Sequence, residues 1–456
     1  MAYDLIVIGS GSAGMGAALE AKERGARVLV VEAGTIGGTC VNVGCVPSKT
    51  LLRAAEAYHK ATHSPFAGVR PKGAALDFAE VLRQKDALIQ TLRQEKYADV
   101  LEAAGVPLLQ GTARFLDAER LSVGDQVLTA GAYVLATGAT PTLPPIPGLA
   151  EARPWTYIEA LSPEALPESL VVIGGGPIGL ELAQAYARFG TRVTVLEALP
   201  YLLPAEDPEL TTALRGYLTA EGLEIHTNAQ VTRVERDGAY RVHTPNGVYT
   251  AERLLVATGR RARTQGLGLE AAGVEVGRAG EVRVDAHLRS TNPRIFAAGD
   301  VAGLPQFVYV GAQSGRVAAR NALGEETPLD LTAVPRVTFT DPALAAVGLT
   351  EEAARQAHGE VRAARLPLEA VPKALAAADT RGLIKLVVDA QGTVLGVHVL
   401  APEAGEVLQE GILAVKHALH YRDLIDTFHP YLTLAEGLRL VAQALDTDVH
   451  KLSCCA

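Results

Sequence analysis

The chain of 456 residues has few of several residue types, and what it lacks excludes whole classes of protein. It contains four cysteines, two methionines, one tryptophan and only 5% aromatic residues. No uninterrupted apolar run is long enough to cross a bilayer, so we expect no membrane-spanning segment. No run of Lys and Arg offsets the formal charge of −9, and a negative surface repels phosphate backbones and anionic lipids. We therefore expect neither nucleic acid nor membrane partners.

The cysteines are too few and too closely paired for a disulfide-stabilised secreted domain. Cys40 pairs with Cys45 and Cys454 with Cys455, whereas a structural framework spreads its cysteines to close long loops. The first apolar segment, 3–8, lacks a basic flank and runs into glycines, which predicts a strand and not a signal peptide. With 48% apolar residues the chain can bury several cores. We expect a cytoplasmic protein with redox or metal chemistry at its thiols.

A dinucleotide-binding pattern occurs twice. Each copy has a buried strand, a GxGxxG turn, a helix and a second strand followed by an acid. The residues are Gly9, Gly11, Gly14 and Glu32 in the first copy, and Gly174, Gly176, Gly179 and Glu197 in the second. Such glycines let the backbone approach a pyrophosphate at the helix N-terminus, while the acid accepts hydrogen bonds from a ribose. In both copies the acid lies 21 residues beyond the middle glycine, which indicates an internal duplication.

Three later strands are predicted to complete the two nucleotide sites. Two of them end in Ala-Thr-Gly, at 136–138 and 257–259, and supply Thr137, Gly138 and Gly259. A third ends at Asp300, where a carboxylate at the strand's C-terminal edge could hold a flavin's ribityl hydroxyl. Two dinucleotide sites in one chain imply electron transfer between their ligands.

Segment 37–49, GGTCVNVGCVPSK, contains the first cysteine pair and is predicted to open a helix. A thiol near a helix N-terminus and beside Lys49 should have a depressed pKa, which makes a thiolate available as nucleophile, electron donor or soft metal ligand. On this segment and the two nucleotide patterns, the chain resembles the flavoprotein disulfide reductases. That family includes dihydrolipoamide dehydrogenase, glutathione reductase and mercuric reductase, and the resemblance covers essentially the whole chain.

The resemblance implies an α/β fold with two Rossmann-like domains and a C-terminal α+β domain. By it, residues 1–150 and 276–334 form an FAD-binding and central domain, and 151–275 form an NAD(P)-binding domain. Residues 335–456 would form a dimerisation domain with a mobile dithiol tail. A homodimer with an active site shared between its two subunits follows from the same resemblance.

The resemblance also implies roles for individual residues. Cys45 would be the charge-transfer thiol nearest the flavin, and Cys40 the interchange thiol. Lys49 would lie near the flavin N5 and pair with Glu181 of the second copy's helix. Gly38 and Thr39, beside Cys40, are expected to contact FAD as well.

The substrate is indicated by a substitution near the C-terminus. Family members that reduce disulfides carry a His-Pro dipeptide five residues before a glutamate, and here Tyr431 occupies the histidine position before Glu436. A phenol with a pKa near about 10 is a poor proton shuttle at neutral pH. His429 lies two residues upstream, and in an extended segment that offset displaces it by roughly 7 Å.

The C-terminal dithiol favours a soft metal ion as substrate. Soft thiolates bind thiophilic metals tightly, and Cys454 and Cys455 could pass an ion to Cys40 and Cys45 by ligand exchange. This ending resembles that of mercuric reductases, so we expect reduction of Hg(II) to Hg(0) with FAD and NADH or NADPH. A dihydrolipoamide dehydrogenase-like disulfide reductase and a non-catalytic flavoprotein that sequesters metal on its thiols remain as alternatives.

Two further expectations concern cofactor choice and one helix. Glu197 stands where NADPH-specific members carry arginines, which predicts that NADH is used at least as well as NADPH. Pro177 stands where some relatives have a tyrosine that gates the nicotinamide pocket.

Segment 78–97 is predicted to be one helix with a solvated outer face. Its predicted packing stripe consists of Val81, Leu82, Leu88, Ile89 and Leu92.

Overall fold

The computed structural model describes residues 3–448, in which strands and helices alternate along most of the chain. The strands are β1 (Tyr3–Ile8), β2 (Val28–Glu32), β3 (Leu108–Gln110), β4 (Ala113–Phe115), β5 (Arg120–Val123), β6 (Gln126–Leu135), β7 (Ala139–Pro141), β8 (Ser169–Ile173), β9 (Arg192–Leu196), β10 (Glu224–His226), β11 (Arg233–Asp237), β12 (Ala239–Thr244), β13 (Gly247–Ala251), β14 (Arg253–Val256), β15 (Arg260–Ala262), β16 (Ile295–Ala297), β17 (Arg336–Thr338), β18 (Ala343–Gly348), β19 (Val361–Pro367), β20 (Leu383–Asp389) and β21 (Val394–Ala401). The α-helices are α1 (Ser12–Glu23), α2 (Gly38–Val43), α3 (Cys45–Thr62), α4 (Phe78–Arg93), α5 (Asp99–Ala103), α6 (Leu149–Ala152), α7 (Tyr157–Ala160), α8 (Pro177–Arg188), α9 (Pro208–Ala220), α10 (Val308–Ala322), α11 (Glu351–His358), α12 (Pro372–Ala377), α13 (Ala404–Val407), α14 (Gln409–Lys416), α15 (Tyr421–Asp426) and α16 (Glu436–Gln443).

The chain divides into two compact units. Among the described residues, the first unit contains 3–50, 79–142 and 259–330, and the second contains 51–78, 143–258 and 331–448. None of the helices in the described part of the chain is both long enough and apolar enough to span a membrane. The α/β class predicted from the sequence is confirmed, whereas the three domain boundaries stay a prediction.

The first unit is built on a seven-stranded sheet. Its order is β3-β2-β1-β6-β5-β4, with β16 also paired to β6. Strands β1, β2, β3, β6 and β16 run parallel, because each returns through a crossover, while β4 and β5 form an antiparallel extension of the long β6. Helices α1 and α10 pack on one face, where small residues let their backbones approach closely.

The second unit contains a second nucleotide-type sheet and a separate antiparallel one. The parallel sheet has the order β10-β9-β8-β14, and the small sheet β11-β12-β13 packs beside it. The antiparallel sheet has the order β17-β18-β21-β20-β19 and buries its inner face under helices α13 to α16. Strands β20 and β21 are buried along almost their whole length, which is typical of strands at the centre of a domain.

One predicted helix differs from the structure in both length and orientation. Helix α4 ends at Arg93, and a π-helical turn over Gln94–Ala98 follows it. Leu88 is 40% exposed, whereas Lys85 is buried with Ile89 one turn later. The predicted stripe was therefore wrong at Leu88, because the methylene stem of a lysine can cover apolar surface while its ammonium reaches Asp86 at 2.7 Å.

Candidate active site

The first nucleotide turn needs its outer glycines for packing. A Cβ on Gly9, whose φ is +107°, would lie 2.4 Å from the carbonyl oxygen of Ala136. A Cβ on Gly14 would lie 1.8 Å from the carbonyl oxygen of Gly9. The middle glycine, Gly11, is different, because its Cβ would meet only the Cα of Gly38, at 3.7 Å. The protein itself leaves room above Gly11.

The second nucleotide turn repeats this arrangement. A Cβ on Gly174 would lie 2.6 Å from the Ala257 carbonyl oxygen, and one on Gly179 would lie 2.1 Å from the carbonyl oxygen of Gly174. A Cβ on Gly176 would meet no atom within 4 Å. Gly11 and Gly176 cap α1 and α8 without any side-chain hydrogen bond. Open space before an uncapped helix N-terminus fits a pyrophosphate, so both sites fit a dinucleotide.

The two predicted ribose acids have matching surroundings. Glu32 accepts hydrogen bonds from the Ser10 amide at 2.9 Å and the Gly34 amide at 2.8 Å. Glu197 accepts from the Gly175 amide at 2.7 Å and the Leu199 amide at 2.8 Å. Each carboxylate is thus tied to its own glycine turn and held at the end of its strand.

Asp300 lies in the first unit beside a guanidinium. Its carboxylate forms an ion pair of 2.8 Å with Arg260, the residue after Gly259. Burial raises the pKa of Asp300, and Arg260 only partly offsets that rise. Within residues 3–448, the buried Nε of Arg260 has no hydrogen-bond partner. A polar ligand at this edge of the sheet would accept a hydrogen bond from the Arg260 Nε, and the hydroxyls of a flavin's ribityl chain fit that role.

The Ala-Thr-Gly motifs follow β6 and β14 directly. The Thr137 hydroxyl donates to the carbonyl of Arg263 at 2.7 Å, and the Gly138 carbonyl accepts from the Arg263 amide at 2.9 Å. Gly138 and Gly259 both have positive φ, +71° and +126°, which favours glycine there. These turns fix where the chain leaves each nucleotide sheet.

The inner cysteine pair spans two helices. Cys40 lies within α2, after Gly38 and Thr39, and Cys45 is the first residue of α3. A Cβ on the intervening Gly44 would lie 2.8 Å from the Thr39 carbonyl oxygen, so glycine allows the tight turn that brings the cysteines together. Both are thiols; Cys40 is half-buried and Cys45 is exposed.

Cys40 has a pKa above its usual range. A hydrogen bond with Cys45 is the main cause and burial adds to it, while the Lys49 ammonium acts in the opposite direction. The predicted depression of the pKa is therefore wrong for Cys40. The hydrogen bond from the neighbouring sulfur outweighs the lysine.

Tyr431 and Glu436 belong to the second unit. Tyr431 is 52% exposed, and Glu436 is buried at the start of α16. In the described part of the chain, the buried Oε2 of Glu436 has no hydrogen-bond partner. His429 instead contacts Glu410 at 2.8 Å through Nε2 and the Thr427 carbonyl through Nδ1, so both ring nitrogens are engaged. Cys454 and Cys455 lie outside the described residues.

Two family models match the chain over most of its length. Pyridine nucleotide-disulphide oxidoreductase matches residues 3–315, and the pyridine nucleotide-disulphide oxidoreductase dimerisation domain matches residues 334–442. The chain belongs to this family. The dimerisation model covers the five-stranded antiparallel sheet and helices α11 to α15.

Curated members of the family align with the whole chain. A mercuric reductase of Staphylococcus aureus is 46% identical over 461 residues, which is 100% of this chain and 84% of that protein. One of Streptomyces lividans is 47% identical over 467 residues, or 100% and 98%. Among solved structures, the Cu(II) complex of the HOCl-induced flavoprotein disulfide reductase RclA from Escherichia coli has a TM-score of 0.88 and 30% identity. The match covers 97% of this chain and 99% of that one.

Two residues beside the inner cysteine pair were missed from the sequence. Arg93 donates to the Asn42 side chain at 2.7 Å, and a Cβ on Gly37 would lie 3.4 Å from the Tyr97 ring. Burial raises the pKa of Tyr97 to about 12, and electrostatic interaction with the two cysteines adds to that rise. The π-helical turn that carries Tyr97 had no signature in the sequence, although such turns often mark functional sites.

Proposed function

We propose that this chain is a mercuric ion reductase, which reduces Hg(II) to Hg(0) with electrons from NADH or NADPH. The supporting observation is the pair of adjacent thiols, Cys40 and Cys45, in a chain nearly half identical to mercuric reductases along its full length. Two neighbouring sulfurs suit a soft, two-coordinate metal ion. We place the reaction in the cytoplasm, where reduced nicotinamide is available.

The residues of the chain divide the work of binding, positioning and electron transfer. Gly11 and Glu32 would bind FAD with Gly9, Gly14, Thr137, Gly138 and Asp300, while Gly176 and Glu197 would bind the nicotinamide dinucleotide with Gly174, Gly179 and Gly259. When bound, FAD supplies two-electron transfer between the nicotinamide and the thiol pair. Cys40 and Cys45 hold Hg(II) as thiolates, and two electrons convert it to a neutral atom that no longer binds them. The nicotinamide is oxidised and one proton is released.

Lys49 and Glu181 are proposed to support the redox centre. The Lys49 cation favours thiolate at Cys40, and a pair with Glu181 would keep that cation in place. Metal reduction needs no general acid to protonate a leaving thiolate, which suits Tyr431 in place of histidine. In the proposed homodimer, Tyr431 and Glu436 would reach the partner's redox pair, and Cys454 and Cys455 would deliver the metal ion to it.

An anaerobic assay of NADH oxidation with Hg(II) under excess thiol tests this function. Wild type should oxidise NADH and volatilise mercury, whereas Cys45→Ala should do neither. A Cys454→Ala/Cys455→Ala variant should keep its flavin spectrum and lose turnover when competing thiol is scarce. Lipoamide reduction with Hg(II) acting only as an inhibitor would instead identify a disulfide reductase. Stoichiometric metal binding without NADH oxidation would identify a sequestering protein.

The carboxylate at Glu197 supports use of NADH. Its oxygens are fixed by two backbone amides, so the negative charge stays at the strand end where a 2′-phosphate would lie. The kcat/KM for NADH should at least equal that for NADPH. A preference for NADPH of more than about tenfold, or 1.4 kcal/mol, would contradict this assignment.

A further inference from the structure

One face of α8 carries three buried polar side chains in an otherwise apolar helix. Glu181, Gln184 and Arg188 lie three and four residues apart, which places them on the same side. All three are at least 95% buried. Polar side chains in such positions require partners, and each of these forms a hydrogen bond with one short loop, 339–341, which follows β17; Gln184 and Arg188 also bond Glu221.

Successive polar residues along α8 form hydrogen bonds with successive parts of this loop. Glu181 accepts from the Phe339 amide at 2.9 Å. Gln184 accepts from the Asp341 amide and donates to the Asp341 carbonyl, both at 2.8 Å. Arg188 donates to the Asp341 carboxylate at 2.9 Å. We call this set of contacts between 181–188 and 339–341 the α8 ladder.

Outer charges hold the end of the α8 ladder in place. Arg188 makes two parallel hydrogen bonds to Glu221, at 2.9 and 2.8 Å. Arg381 bonds Asp341 at 3.0 Å and Glu221 at 3.1 Å. Paired guanidinium and carboxylate groups have a fixed planar geometry, so Asp341 cannot shift without breaking several bonds at once. The loop therefore has one register on the helix.

We propose that Gln184 and Arg188 are positioning residues for Glu181. They hold the 339–341 loop in one register, so that the Phe339 amide keeps the Glu181 carboxylate in a single orientation. This inference rests on the role proposed above for Glu181 in the redox centre. Neither Gln184 nor Arg188 needs to touch cofactor or metal for this effect.

Gln184→Met in the holoenzyme tests the inference, because methionine keeps the size of glutamine and removes all three of its side-chain hydrogen bonds, two with Asp341 and one with Glu221 at 3.1 Å. Hydrogen exchange of the Phe339 and Asp341 amides should accelerate by about tenfold. The flavin midpoint potential should move in the same direction as in Glu181→Gln, and kcat should fall with little change in KM.

Tyr186→Phe is the matched control. It removes one buried hydrogen bond, from the Tyr186 hydroxyl to the Ala160 carbonyl at 2.7 Å, from the same helix. Exchange at Phe339 and the flavin potential should stay as in wild type. If Gln184→Met does not fold, Arg188→Lys provides the same test, because a single ammonium cannot reproduce the planar bonds to Glu221 and Asp341.

The possible outcomes separate this inference from the proposed function. A potential that moves in Glu181→Gln but not in Gln184→Met would overturn the inference and leave the role of Glu181 intact. A potential unchanged in both variants would overturn the role of Glu181 and the inference together, while mercury volatilisation by wild type would still support the reductase. Equal shifts in Gln184→Met and Tyr186→Phe would show a general effect on α8 and would also overturn it.

Discussion

Neighbouring glycines in the nucleotide turns differ in what a side chain would meet. Gly179→Ala would push a Cβ to 2.1 Å from the carbonyl oxygen of Gly174, and overpacking of this kind costs about 1–3 kcal/mol. Gly176→Ala meets no protein atom within 4 Å but enters the space proposed for a pyrophosphate. Thermal unfolding should therefore show a lower Tm for Gly179→Ala alone. Steady-state kinetics of Gly176→Ala should show a KM for NADH raised at least about tenfold.

The hydrogen bond between the inner thiols gives a prediction about pH. The Cys45 hydrogen bond is the main cause of the raised pKa of Cys40, so Cys45→Ala should lower that pKa and shift the alkylation profile of Cys40 to lower pH. Lys49→Met should shift the profile to higher pH, because a cation that favours the thiolate is lost. The alkylation profile is the rate of reaction with iodoacetamide measured across pH. In a Cys454→Ala/Cys455→Ala background with Cys45 also replaced, these rates report Cys40 alone.

The Lys49 effect is measured with Cys45→Ser/Lys49→Met against Cys45→Ser, so that each protein again has one inner thiol. A profile that moves to lower pH on loss of Lys49 would contradict the assigned electrostatics.

Secondary-structure elements of the second unit are joined by a buried lysine. Lys385 of β20 contacts Asp207, which caps α9, and Glu351 of α11, each at 2.8 Å. Burial alone lowers the pKa of Lys385, but the hydrogen bonds to Asp207 and Glu351 outweigh it and raise the pKa. Lys385→Met leaves the buried Asp207 carboxylate without its cation, whereas Glu351 keeps Arg355 and Arg365. The substitution should destabilise the protein by about 3–5 kcal/mol.

The pH dependence of this destabilisation has a definite sign. A pKa raised in the folded state stabilises fully below the unfolded value, near about 10.4 for lysine, and the stabilisation is lost as pH rises through the folded value. The difference in Tm between wild type and Lys385→Met should thus be largest near neutral pH and shrink in alkali. Lys373→Met, at an exposed position, is the control. A difference that grows with pH would refute the ion-pair explanation.

Elements whose sequence repeats a local pattern were predicted well, and those fixed by distant contacts were not. The first strand was predicted at 3–8 and found there, because an apolar strand that runs into a glycine turn is a local signal. The buried face of α4 depends on what covers Lys85, which no local pattern encodes. The α8 ladder joins residues more than 150 positions apart, so no local reading of Gln184 could identify its partner.

The candidate site was predictable to the extent that its chemistry is carried by residue type. Cysteine pairs, glycine turns and acids at strand ends have few other uses in such patterns, so they could be selected from the sequence. The direction in which the pKa of Cys40 shifts could not be predicted from the sequence. It depends on a hydrogen bond between two sulfurs, which raises the pKa, and on Lys49, which lowers it. Tyr97 was missed for a similar reason, since its approach to the pair depends on a π-helical turn.

For the assembled enzyme, the decisive question is whether one subunit serves the other. We propose that Cys454 and Cys455 of one subunit deliver Hg(II) to Cys40 and Cys45 of its partner. A hybrid dimer, purified through two different tags, can combine a Cys40→Ala/Cys45→Ala subunit with a Cys454→Ala/Cys455→Ala subunit. Only delivery between subunits leaves such a hybrid with one complete site, so at limiting thiol it should show about half of wild-type turnover.

The two parent homodimers provide the controls for the hybrid, since each lacks one cysteine pair in both sites. Delivery within a subunit would leave the hybrid with an inner pair that has no tail and a tail that has no inner pair. Its mercury volatilisation would then be no higher than that of the Cys454→Ala/Cys455→Ala homodimer. That result would reject the shared site while leaving the reductase chemistry of Cys40 and Cys45 in place, because excess thiol could still carry Hg(II) to the inner pair.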